Sequence, residues 1–261
     1  MPKERALKSM SGDFKQLIYK SGKISEITLN RPEVMNALST QLYGELGDAV
    51  AEASADPQTQ VIVITGAGAA FSSGGDLKEG DQINRDDPNV FARVSSRMLK
   101  NILSSNKVVI AKINGITQAG GLLIVAACDL AIASDKATFK SPEALVGLWE
   151  PYAPALLPPQ IGMKRAKYLL LTSETIDAFE AQRMGLINLV APHEELDAAT
   201  EKMIGRVLAG GPMARTMFKR MINERIGDFD TSVVIEALSS EEGQEGVAAF
   251  AEKRKPAWRK S

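Results

Sequence analysis

The residues whose types and spacing could do chemistry are two glycine pairs and two glutamates. Gly120 and Gly121 open the stretch QAGGLLIVAACD (118–129), which holds no acid, base or nucleophile before its last two residues, Cys128 and Asp129. If this run is a helix, Gly120 stands at its start, where the first backbone N–H groups lack an intrahelical acceptor and favour an oxyanion or a phosphate. On these residues alone, a buried helix that needs small residues for close packing is the preferred reading. A second pair shifts the balance. Gly74 and Gly75, in GAGAAFSSGGDLKEG (66–80), follow the apolar run VIVIT and precede Asp76, a residue type that caps a helix beginning LKE. Two glycine-lined strand ends can converge at the carboxyl edge of a parallel sheet, and two main-chain donors aimed at one carbonyl oxygen make an oxyanion hole. Neither pair is a phosphate loop of the Gly-Lys-Ser/Thr type, and dinucleotide spacing is absent.

Glu143 stands in SPEALVGLW among apolar neighbours, where desolvation disfavours its charge and suits it to general acid/base work. Its plainer role is a first-turn glutamate after Pro142. Glu150, seven residues on in GLWEPYAP, reads equally as a second acid and as a solvated loop residue. Trp149 and Tyr152 beside it are core residues or the wall of a pocket. The segment EPYAPALLPPQIG carries four prolines and reads as a stiffened loop. Cys128, with no histidine nearby, is no candidate nucleophile, and His193 in APHEEL reads as a surface residue.

These residues need a scaffold. Phe14–Lys20 and Ile24–Leu29 alternate as strands around the turn Ser21-Gly22. Ser39 precedes an amphipathic run with Leu42, Leu46 and Val50 on one face. VIVIT (61–65), VVIAKI (108–113) and LAIAS (130–134) are buried strands, and a helical segment around Val90–Ser104 separates the first two. Strands alternating with helices predict right-handed crossovers and a largely parallel sheet, hence an α/β fold. From Gly162 onward the pattern is mostly helical. Residues 1–12 read as a flexible leader, 13–192 as the strand-bearing core and 193–261 as a helical region, with the boundary near Pro192.

The totals set outer limits. The chain has 261 residues, 44% hydrophobic and 24% charged, enough for a sizeable core. A net charge of -1 and a pI near 6.0 leave no overall basic excess for nucleic acid. One cysteine excludes an intrachain disulfide framework, and one histidine cannot by itself make a zinc site. No apolar stretch is long enough to span a bilayer, the first residues lack the apolar core of a secretory signal, and a cytoplasmic location is expected.

Taken in order, LNRPEVMNALS (29–39), AFSSGGDLKE (70–79), INGITQAGG (113–121) followed by CDLAIAS, SPEALVGL (141–148) and FAEKRKPAW (250–258) resemble the successive signatures of the enoyl-CoA hydratase/isomerase (crotonase) family. The resemblance covers nearly the whole chain from about residue 14. It implies a spiral of strand-strand-helix repeats, a helical C-terminal trimerisation region, acyl-CoA thioester substrates, and assembly as a trimer or hexamer. It places the two oxyanion donors on Gly75 and Gly120. It puts the thioester-binding surface at Ala37, Ser73, Gly75, Asp76 and Leu77, with Phe250 and Lys253 approaching CoA. Of the two glutamates with which hydratases of this family hold one water, the second falls on Glu143, but the first falls on Leu123, which can neither position nor deprotonate water. Isomerisation needs one carboxylate; hydration needs a further group, for which Glu150 is the candidate. No metal, nicotinamide or flavin is implied, since CoA arrives as part of the substrate. An acyl-CoA-binding protein without turnover, another reaction of the family such as thioester or C–C hydrolysis, and RNA binding are the competing readings.

Overall fold

A computed structural model of the chain describes residues 14–77, 88–226 and 229–259. The expected leader at 1–12 and most of the helix expected after Asp76 lie outside the described residues.

The chain opens with the expected hairpin, β1 (Leu17–Lys20) and β2 (Ile24–Leu29), antiparallel with Lys20 opposite Glu26. β1 begins three residues later than the alternation from Phe14 suggests. α1 (Thr40–Ala55) starts where Ser39 predicts, the serine oxygen accepting from the Leu42 N–H at 2.9 Å. Its buried stripe includes Leu42, Leu46 and Val50.

A repeated unit then follows. β3 (Val61–Gly66) is trailed by β4 (Ala70–Ser72), and the chain passes through α2 (Pro88–Ser104) to β5 (Val108–Ile113). β5 is trailed by β6 (Ile116–Gln118) and α3 (Gly120–Ala127). β7 (Leu130–Ser134) is trailed by β8 (Thr138–Lys140) and a 3₁₀ turn at Glu143–Val146. The first strand of each unit enters one sheet and the second another. The six-stranded sheet runs β1-β2-β3-β5-β7-β10 and the four-stranded one β4-β6-β8-β9, where β9 is Ile176–Asp177 and β10 is Leu189–Ala191. Neighbours from β2 to β10 are parallel, as are β4, β6 and β8, so the chain advances as a spiral. β3 is buried throughout, which is why it reads as a continuous apolar run.

One expectation is corrected. The proline-rich segment after Glu150 is not a loop but a helix, α4 (Tyr152–Ile161), so the helical region begins ten residues before Gly162. Pro154 falls in the first turn, where a helix N–H needs no intrahelical partner. Pro158 and Pro159 lie inside the helix and remove two donors. The buried side chains of Leu156, Leu157 and Ile161 hold the segment in place regardless. α5 (Met163–Thr172), α6 (Ala178–Met184), α7 (Leu196–Ala209), α8 (Pro212–Asn223), α9 (Ser232–Ser239) and α10 (Glu241–Ala251) complete the chain. α8 is tied to the core by Lys219, whose ammonium pairs with Asp129 at 2.8 Å and donates to the carbonyls of Ile102 and Lys107.

Candidate active site

The second strand of each unit is only three residues long, and each delivers its chemistry just past its end. Gly74 and Gly75 follow β4, Gly120 follows β6, and Glu143 follows β8. Because these strands are parallel neighbours in one sheet, their carboxyl ends lie side by side. The approach is close. A Cβ on Gly74 would lie 2.4 Å from the Cβ of Ala119 and 3.3 Å from the Gly120 nitrogen, and Gly74 has φ of 94°, so glycine is required on both counts. Ala119 itself adopts φ of 48°, a strained conformation for a residue with a side chain, directly before Gly120.

The loop LNRPEVMNALS supplies the facing wall. Asn36, fully buried, accepts from the Arg31 N–H and donates to the carbonyls of Ala67 and Ala70, fixing the loop against β4. Leu38 then forms a parallel bridge with Gly75: its N–H donates to Gly74 and its carbonyl accepts from Asp76. That pattern leaves the Gly75 N–H outside the bridge. Gly120, the first residue of α3, is likewise without an acceptor, so neither N–H has a partner among the described residues.

Both glycines open on one cavity of about 930 Å³. Gly75, Gly120, Glu143 and Glu150 all line it, as do Ala37, Ser73, Asp76, Leu77 and Phe250. Lys253 is not among its lining residues. Arg254, beside it in the basic tail, is engaged with Glu245 and Glu252. Leu123, Trp149 and Tyr152 also face the cavity, and Leu123 makes apolar the place one helical turn beyond Gly120. His193 is exposed, accepting or donating at the Ser134 hydroxyl 3.0 Å away, and burial pushes the Cys128 thiol pKa up, away from a nucleophilic thiolate.

The two glutamates differ in their settings. Glu143 takes a hydrogen bond from the Ser141 hydroxyl at 2.6 Å, yet desolvation outweighs it and raises its pKa. Glu150 sits before α4 and accepts from the N–H groups of Tyr152 and Ala153, the latter at 3.0 Å. These bonds and the helix dipole favour its charge; burial and the nearby Glu143 act against it more strongly and push its pKa up to about 8. Burial therefore raises both carboxyls, and the neighbouring Glu143 adds to the rise at Glu150.

Sequence reasoning missed Arg31, which lines the cavity, donates to the Ala37 carbonyl and pairs with Asp76. It also missed Tyr43, an α1 residue read only as part of a helix whose stripe is set by its leucines. Its hydroxyl lies over Gly120, where a Cβ would meet it at 2.2 Å.

Comparison with known proteins agrees with this geometry. A sequence model described as Enoyl-CoA hydratase/isomerase matches residues 19–261. Crotonyl-CoA hydratase of Syntrophomonas wolfei is 34% identical over 92% of this chain and 95% of its own length. Short-chain-enoyl-CoA hydratase of Clostridium acetobutylicum is 31% identical, again over 92% of this chain and 95% of its own. The crystal structure of an enoyl-CoA hydratase/isomerase from Pseudoalteromonas atlantica superposes with a TM-score of 0.81 at 32% identity, covering 93% of this chain and 99% of that one. With the spiral fold, the paired glycine loops and a match over nearly its full length, the chain belongs to the enoyl-CoA hydratase/isomerase family and is an acyl-CoA enzyme of the crotonase type.

Proposed function

We propose that the cavity binds the thioester end of an enoyl-CoA, with the carbonyl oxygen between the Gly75 and Gly120 N–H groups. The observation that carries this reading is that two main-chain donors without a partner among the described residues and two carboxylates line a single, mostly apolar cavity. Glu143, as carboxylate, takes a proton from the carbon chain; the electron pair moves onto the thioester oxygen, where the preorganised N–H groups stabilise it. Returning the proton at another carbon isomerises the double bond. For hydration, a water must be held beside Glu143, and Leu123 cannot hold it. Glu150, protonated near neutral pH, is the group placed to do so.

This chemistry calls on no metal or redox cofactor, and CoA enters as part of the substrate. Self-association as a trimer or hexamer and a cytoplasmic location complete the proposal; nucleic acid is not expected as a partner. Among the described residues no helix is long and apolar enough to cross a membrane.

Linear and cyclic enoyl-CoAs incubated in heavy-oxygen water, with products read by mass spectrometry, test the reading. One added heavy oxygen on the acyl chain means hydration, an unchanged mass with a moved double bond means isomerisation, and free heavy-labelled acid means thioester hydrolysis. Tight binding with none of these products makes the chain a binding protein and removes the proposed catalysis.

A further inference from the structure

We infer that Tyr43 is a catalytic residue of this site, its phenolic O–H a third donor to the oxygen held by Gly75 and Gly120; the inference rests on the enolate chemistry proposed above.

Three observations converge on it. Tyr43 is only 4% exposed and lines the cavity, and its hydroxyl has no protein hydrogen-bond partner among the described residues, which leaves it open to a ligand. Tyr152, also in the cavity, contrasts with it, since its hydroxyl is engaged with Ser95 at 3.3 Å. The oxygen is also aimed at one place. It fills the space a Cβ on Gly120 would occupy, 2.2 Å from that position, and lines the same cavity as Gly75, Glu143 and Glu150. The Gly120 nitrogen and its absent Cβ are substituents of one Cα, so an atom that accepts from that N–H arrives beside the phenol. Finally, the ring is held. It packs edge-on against Phe91, centroids 5.3 Å apart at 84°, so the hydroxyl is positioned before any ligand arrives. Burial and the neighbouring carboxylates raise the phenol pKa, which keeps it a neutral donor.

A donor here replaces no proton-transfer group. When the C2–H bond breaks, the proton goes to the Glu143 carboxylate and the electron pair to the thioester oxygen, and the phenol keeps its own proton while sharing it with that oxygen. The arrangement also explains why position 120 must be glycine beyond any backbone requirement: any side chain there would displace the hydroxyl.

The experiment uses acetoacetyl-CoA, whose enolate absorbs in the near ultraviolet where the keto form does not. Bound to the wild-type protein it should shift toward the enolate. Tyr43→Phe retains the ring contact with Phe91 and should lower the bound enolate-to-keto ratio by at least about tenfold. On an enoyl-CoA that the wild type turns over, it should lower kcat with little change in KM, as expected for an interaction made in the transition state alone. A fluorinated tyrosine at position 43, a stronger donor of the same shape, should raise the enolate ratio, and this variant serves if the phenylalanine protein folds poorly. An enolate ratio in Tyr43→Phe equal to that of the wild type overturns the role of Tyr43 and leaves the glycine donors standing. A wild-type protein that binds the thioester without any enolate overturns the proposed function, and the role of Tyr43 with it.

Discussion

Glu143 and Glu150 share a cavity in which ionising both is expensive, and the roles proposed for them make different predictions. Glu143→Gln should abolish every reaction, including exchange of substrate α- or γ-protons with deuterium from solvent, a loss of at least about a hundredfold. Glu150→Gln should remove water addition while leaving that exchange largely intact, which NMR of the recovered thioester reads directly. The same carboxyl has a signature in stability. Its folded pKa of about 8 exceeds the ordinary value of 4.5, so between these the folded state binds more protons than the unfolded chain. Its contribution is full below the lower value and is lost as pH rises through the upper one. The unfolding free energy of Glu150→Gln, read from melts across pH, should therefore gain on that of the wild type from about pH 5 to about pH 8 and level off above. At this scale, much of the site is legible from sequence. Paired glycines and a glutamate among apolar residues declare their chemistry by type. The hydroxyl of Tyr43 does not, because its position depends on how α1 is seated beside Gly120, a contact between segments 77 residues apart.

The elements that carry function are the ones with the weakest sequence signal. β3, β5 and β7 are five or six residues long and read plainly as apolar runs, whereas β4, β6 and β8 have three residues each, too few to show a period. Only their neighbours' pairing makes them strands. α4 was hidden for another reason: prolines argue against a helix locally, and burial of its leucines overrides that argument. A third element is visible only in three dimensions. α10 presses on the 3₁₀ turn that carries Glu143, so closely that a Cβ on Gly246 would lie 1.8 Å from the Val146 carbonyl oxygen. Gly246→Ala should destabilise the fold by about 1–3 kcal/mol through overpacking and lower turnover by pushing that turn off its geometry. Thermal melts and kinetics on one preparation check both effects. Normal turnover would mean that α10 yields and the turn is held by β8 alone.

At the scale of the molecule, α8 exposes Met213, Phe218 and Ile222, at 80%, 64% and 65%, beside the partly exposed Met217 and Met221. An apolar helix face of this extent is unusual on a protein that works alone. Sedimentation at micromolar concentration should give a trimer or a hexamer with no stable monomer, and replacing Met213 and Phe218 together by glutamate should dissociate it. A wild-type protein that sediments as a monomer contradicts the proposed assembly.

The close contact of α10 with the Glu143 turn bears on how binding and folding are coupled. The donors at Gly75 and Gly120 belong to the first half of the chain, but Val234, Ala237, Leu238 and Phe250, which close the cavity, belong to α9 and α10. A ligand seated in this cavity therefore touches both the spiral and the last two helices, so binding and the docking of those helices are thermodynamically linked: what binds the assembled form stabilises it by mass action.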